Sequence, residues 1–143
     1  MPIATCAMPY DRAASMRGSA VKFAKIVFVI AGIWGVLLLV PLYFIFDLIG
    51  QQDPPPITHP AFYYGFVGVA LAWQVAFFLI ARDPVRFRPM MIPSMLEKVA
   101  YGGAVVVLYA QGRMSHAQDL VFGLVDLLFA VLFAIAFVRV KSA

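Results

Sequence analysis

The sequence predicts an all-α, polytopic membrane protein: one domain, built as an antiparallel bundle of four transmembrane helices with both termini on the same side. Three observations carry this. Of the 143 residues, 64% are hydrophobic and only 13% charged, against about 45–50% and about 25% in soluble domains. Four apolar runs, residues 26–46, 62–81, 99–111 and 120–138, reach or approach the length that crosses a hydrocarbon core of about 30 Å. The basic residues, finally, gather in alternate connecting segments.

The first helix is placed at about residues 21–46. Its apolar core is longer than the roughly 7–15 residues of a signal peptide and no A-x-A site closes it, so it reads as retained. Pro41 is expected to kink it and free a carbonyl one turn back. The segment "DLIGQQDPPPITHP" follows as a long, extended outer turn, stiffened by its three consecutive prolines. A second helix covers about 61–81 and ends before Pro84, which disfavours helix at Asp83.

The third run is short for a bilayer. It is expected to borrow residues 94–98 and so to start at about 94, with Glu97 and Lys98 at the membrane edge. Ser94 and Glu97 fit a capping box there. "SHAQ", with Ser115 and Gln118, repeats that device before the fourth helix, about 116–139, and Asp119 suits its positive end.

Arg12, Arg17, Lys22 and Lys25 precede helix 1; Arg82, Arg86, Arg88 and Lys98 lie between helices 2 and 3; Arg139 and Lys141 follow helix 4. Arg113 alone falls in the other two loops. Lysine and arginine accumulate on the cytoplasmic side, which puts both termini in the cytoplasm. Arg82, Arg86, Arg88 and Lys98 are expected at the membrane surface, with Arg86 and Arg88 meeting anionic lipid. Cations beside membrane spans give no support to a nucleic-acid partner.

In lipid, small residues that permit close approach mark helix interfaces. The expected stripes are Gly32 and Gly35; Gly65, Gly68, Ala72 and Ala76; Gly102, Gly103 and Ala110; and Gly123, Ala130 and Ala134.

Few groups carry chemistry. Asp126 lies inside an apolar run, on the face of Gly123 and Ala130, and a carboxylate at such depth is a functional-site hypothesis by default. The plainer expectation is a structural hydrogen bond to a tyrosine or to the carbonyl freed by Pro41. Tyr43, Tyr64 and Tyr109 fall in the same half of the bundle, as head-group ligands or as an interfacial aromatic belt. Gln74, beside Trp73, comes level with Glu97, and a Gln74–Glu97 hydrogen bond is expected. His59 and His116, with Asp53 or Asp119, form no recognised metal spacing, and neither histidine is placed to ligate a buried haem. Cys6 stands alone, without a redox pair. No phosphate loop, H-E-x-x-H or nucleophile motif is present, and no cofactor is indicated.

The stretch from "FYYGFVGVALAWQVAFFLIARDPVRFRPMMIPSMLEKVAYGGAVVVLYAQGR" to "GLVDLLFAVLFAIAF", residues 62–137, loosely resembles small bacterial four-helix membrane proteins of the DoxX-like group. That resemblance implies membrane redox complexes and quinone-linked partners, and no catalytic residue. The leading expectation is therefore a non-catalytic subunit or interaction protein, packed through its Gly/Ala faces against other membrane chains or copies of itself. The alternative is a binder of a hydrophobic small molecule (quinone, lipid or sterol-like) with Asp126 or Gln74 at the head group. Third comes a transporter or membrane enzyme that moves a proton on Asp126.

Overall fold

A computed structural model of the chain describes residues 9–52, 56–114 and 117–140, with side chains from Ser15 onward. Among these residues all regular structure is helical: α1 (Pro9–Leu42), α2 (Phe46–Gln52), α3 (Pro60–Arg82), a 3₁₀ turn at Arg88–Met90, α4 (Met91–Ala110) and α5 (Ala117–Arg139). Four of these helices are long and apolar enough to cross a bilayer, as the sequence predicts. Large apolar side chains such as Leu37, Phe44, Phe62 and Val138 point outward. In water such a surface would be an aggregation liability; in a bilayer it is the lipid face.

The element boundaries correct four expectations. α1 stops at Leu42 rather than 46, with Pro41 in its last turn and two turn bonds beyond it (Tyr43 N to Val40 O, Phe44 N to Pro41 O). "DLIGQQ" is not extended but helical, as α2; Pro54 and Pro55 lie outside the described residues. α4 begins at Met91, so Ser94 is no N-cap. It sits inside the helix and its hydroxyl donates to Met90 O at 2.7 Å, the back-bond that serine favours once helical geometry surrounds it. Glu97 and Lys98 consequently lie about two turns into α4, not at its edge. The Ser115 cap of the fourth helix is outside the described residues.

α3 ends as expected. Asp83 leaves helical geometry at φ −144°, Pro84 is buried behind it, and Asp83 Oδ1 accepts from Arg86 N at 3.1 Å. Arg82 and Arg86 are exposed on this turn. Arg88 instead packs back on α5: its guanidinium lies 3.8 Å from the centre of the Phe137 ring, and Nε donates to Phe137 O at 3.1 Å. It satisfies a carbonyl that the helix end leaves free.

α1 packs on α3 and α5, α5 packs along α4, and α3 and α4 barely touch. The half of the bundle nearest the termini is closed. There Phe28, Phe77 and Phe133, from α1, α3 and α5, form one aromatic group, with Phe28 stacked on Phe133 at 4.1 Å and Phe77 edge-on to Phe133 at 5.2 Å.

Glycine sets two of the contacts. A Cβ on Gly102 would lie 2.6 Å from Gly123 O, and one on Gly123 would lie 2.6 Å from Val105 Cγ1, so α4 and α5 touch backbone to backbone. Gly35 is overlaid by the Gln74 amide, and Gly32 by the Phe78 ring. The stripe expected on α3 is corrected: Gly65 and Ala72 face outward, and a Cβ on Gly65 or Gly103 would meet nothing within 4 Å. α3 buries Val67, Gln74, Phe77 and Ile80 instead. The glycines of α1 leave room for large partners, so small residues are needed on one helix only.

At the opposite end, Tyr63 Oη donates to Leu42 O at 2.8 Å, taking up a carbonyl at the end of α1. Phe46, Tyr63 and Tyr64 pack around this joint, and Tyr43 stacks on Tyr64 at 5.8 Å. Tyr63→Phe should cost about 1 kcal/mol, read as a fall of about 2–4 °C in Tm in detergent.

A candidate ligand cavity with a charged floor

Beyond the aromatic group the helices part, and a cavity of about 700 Å³ opens toward the α2 end. Leu38, Leu39 and Leu42 of α1 line one side, Phe66 and Ala70 of α3 another, and Phe122 of α5 a third, while Ile49 and Gln52 reach it from α2. This volume lies within the usual range for small-molecule pockets, about 300–1,000 Å³. A shallower groove of about 420 Å³ runs between α3 and α4, past Trp73, Pro93, Leu96 and Ala100. Phe66, Ala70, Glu97 and Tyr101 line both. Cavity and groove therefore share a wall where α3 and α4 barely touch, on the side that meets lipid.

The floor is polar. Lys98 of α4 is 6% exposed, its Nζ 3.2 Å from Asp126 Oδ1 and 3.3 Å from Glu97 Oε2. It donates to Asp126 Oδ2 at 3.3 Å and to Glu97 Oε1 at 3.5 Å. Beneath it the Phe77 ring centre lies 5.4 Å away, a cation–π contact that strengthens where water is excluded. The close approach of Gly102 and Gly123 makes this pair possible, since Lys98 is one turn from Gly102 and Asp126 one turn from Gly123.

Lys98 is thus not a membrane-surface residue. Its partners also correct two expected bonds: Asp126 is held by Lys98 and not by a tyrosine or a carbonyl near Pro41, and Glu97 turns to Lys98 and not to Gln74. A buried carboxylate takes the strongest available counter-charge, and the lysine stem is long enough to bring it from the neighbouring helix.

Gln74 stands on the opposite wall, 1% exposed. Its Nε2 donates to Ala70 O at 2.8 Å, while Oε1 has no hydrogen-bond partner. Buried acceptors left in this state are rare and costly. Nε2 is satisfied within α3 itself, so the amide needs no contact with Glu97.

The remaining candidates fall elsewhere. Trp73 lines the groove, not the cavity, and packs on Phe77 at 6.3 Å. Tyr43 and Tyr64 belong to the aromatic joint at the ends of α1 and α3, and Tyr109 is exposed near the end of α4; none of the three lines the cavity. His59 Nδ1 is 2.7 Å from Thr58 Oγ1. Among the described residues no group of three His, Cys, Asp or Glu is placed to hold a metal ion; Cys6, Asp53 and His116 are not among them.

Sequence reasoning missed Lys98 and Tyr101 as cavity residues. A signal was available for the lysine: Met91, Ser94, Lys98, Gly102 and Val105 recur at three and four, the spacing of one helical face, and all are buried. Sorting cations by loop, rather than by face, hid it.

Comparison of the chain with family models, with curated proteins and with solved structures gives no match. Its class therefore rests on fold and site: a small multi-pass membrane protein whose helices close around an aromatic core at one end and an ion-paired cavity at the other.

Proposed function

We propose that the protein binds a lipid-soluble small molecule, with its polar head at the Gln74–Lys98–Asp126 floor and its apolar part between the helices. The carrying observation is the unpartnered, buried Gln74 Oε1, which packs over Gly35 in the wall of a cavity whose α1 side is leucine and whose α3 and α5 sides carry Phe66 and Phe122. A ligand head would supply the missing hydrogen bond, and the α3–α4 groove offers a route from the bilayer. Native mass spectrometry of protein taken from its own membrane in mild detergent tests this. Wild type should carry a discrete small-molecule mass. Gln74→Leu and Asp126→Asn should each lower its retention about tenfold or more, as loss of a buried polar contact of about 1.5–3 kcal/mol implies. Unchanged retention in both variants would sink the reading.

A second reading, a subunit of a larger membrane assembly, draws on the outward glycine and alanine of α3, Gly65 and Ala72, which offer close approach to another helix. The DoxX-like resemblance would make that assembly a redox complex. Chains that co-migrate in the same spectrum, and are lost on Gly65→Leu, would favour it. A lone chain would remove it.

We infer the orientation from charge. With Lys98 withdrawn to the cavity, the cations still favour the end that holds the termini, which supports a cytoplasmic side for that end; the DoxX-like resemblance supports a bacterial inner membrane.

A further inference from the structure

The cavity's charges are unbalanced in a way that selects a head group. Among the described residues, Glu97, Asp119 and Asp126 line it against one cation, Lys98. That ammonium is already committed, with carboxylate oxygens of Glu97 and Asp126 at 3.2–3.5 Å, so it has little left to attract an anion. Among the described residues the buried side-chain atoms without a hydrogen-bond partner are both acceptors, Gln74 Oε1 and Glu97 Oε2; the latter lies 3.3 Å from Lys98 Nζ but out of line for a bond. Acceptors and excess negative charge call for a head that donates protons in hydrogen bonds and carries positive charge. Inside a low-dielectric site the attraction between such a charge and the carboxylates is stronger than in water and offsets the cost of stripping its hydration.

We propose that the ligand is a lipophilic amine. Its ammonium sits against the Glu97 and Asp126 carboxylates, where a turn of the Gln74 amide off Gly35 lets Oε1 accept from it, and its apolar part lies along Leu38, Leu39 and Phe66. A longer tail leaves through the shared wall into the α3–α4 groove. This inference rests on the binding function proposed above and adds to it the chemical class of the head.

The full-length chain in nanodiscs of neutral phosphatidylcholine provides the test. Three probes of one chain length, dodecylamine, dodecanol and dodecanoic acid, are titrated while the fluorescence of Trp34, which lines the cavity, is followed in a Trp73→Phe background. Affinities are compared at equal mole fraction in the bilayer. Dodecylamine should bind at least tenfold more tightly than either of the others. Asp126→Asn should reduce that preference several-fold, and so should Asp119→Asn, which sits in the first turn of α5 away from the ion pair and does not depend on the pair for folding. Equal or tighter binding of the alcohol or the acid would overturn the amine proposal while leaving a binding protein. A preference unmoved by both substitutions would overturn it too. If none of the three probes binds, the binding function itself fails and the amine proposal with it.

Discussion

Lys98→Met should be among the most damaging single substitutions in the chain. It keeps most of the side-chain volume but leaves Asp126 and Glu97 facing each other's charge without the ammonium at 3.2–3.3 Å. Breaking a buried pair by removing one partner costs about 3–5 kcal/mol, because the surviving charge stays buried and uncompensated. For a chain of this size that corresponds to a loss of about 10 °C in Tm, measured by circular dichroism in detergent. The diagnostic result is rescue. Lys98→Met combined with Asp126→Asn and Glu97→Gln removes the stranded charge and should regain most of the loss, since neutral replacement of a whole buried ionic group is often tolerated. A Tm for Lys98→Met alone within a degree of wild type would show that the pair contributes nothing to the fold.

Gly102→Val should also be severe, and by a different mechanism. The new Cβ would stand 2.6 Å from the backbone oxygen of Gly123 and 2.8 Å from Leu127 Cγ. A backbone oxygen in a helix cannot swing aside as a side chain does, so α4 and α5 must separate. Overpacking of this kind costs about 1–3 kcal/mol and occasionally more. Separation also draws Lys98 away from Asp126, so ligand retention should fall together with Tm. Gly103→Val provides the control one residue along, where a Cβ meets nothing within 4 Å; its Tm should stay within about 2 °C of wild type. Equal effects at the two positions would refute the backbone contact and the register it imposes.

The fold was legible in large part because membrane insertion reads composition and length, both local properties of the chain. Twenty-odd apolar residues must span as helix, since lipid offers backbone groups no other partner. Pro84 and Asp83 mark a helix end by local sterics alone, and the structure keeps that end. The start of α4 was harder: Ser94 and Glu97 carry a sound cap signal, but the preceding 3₁₀ turn lets the helix begin three residues earlier, at Met91, and absorbs Ser94 into its first turn.

The site was legible in parts. Asp126 and Gln74 are conspicuous because polar side chains within apolar runs have few alternative explanations. What holds them was not, because partners on different helices depend on how two faces rotate and slide against each other. Lys98 looks like a surface cation when assigned by its distance from a run's edge; it becomes a cavity residue only once the Gly102–Gly123 contact fixes α4 against α5. Tyr43, Tyr64 and Tyr109 show the converse. They share a depth with the cavity, yet depth does not give direction, and the aromatic joint at the ends of α1 and α3 takes the first two.

By itself, then, the sequence determined the four spans, the stop at Pro84 and the places where a buried polar group had to be answered for. The tertiary structure decided which groups answer: Lys98 for Asp126 and Glu97, and for Gln74 Oε1 no group among the described residues. It also decided that Gly65 and Ala72 of α3 turn outward and that α3 and α4 part. The division has a simple origin. Transfer into lipid is a property of each segment alone, whereas ion pairs and cavities depend on the relative rotation of two helices, which close packing sets to within a side chain's width.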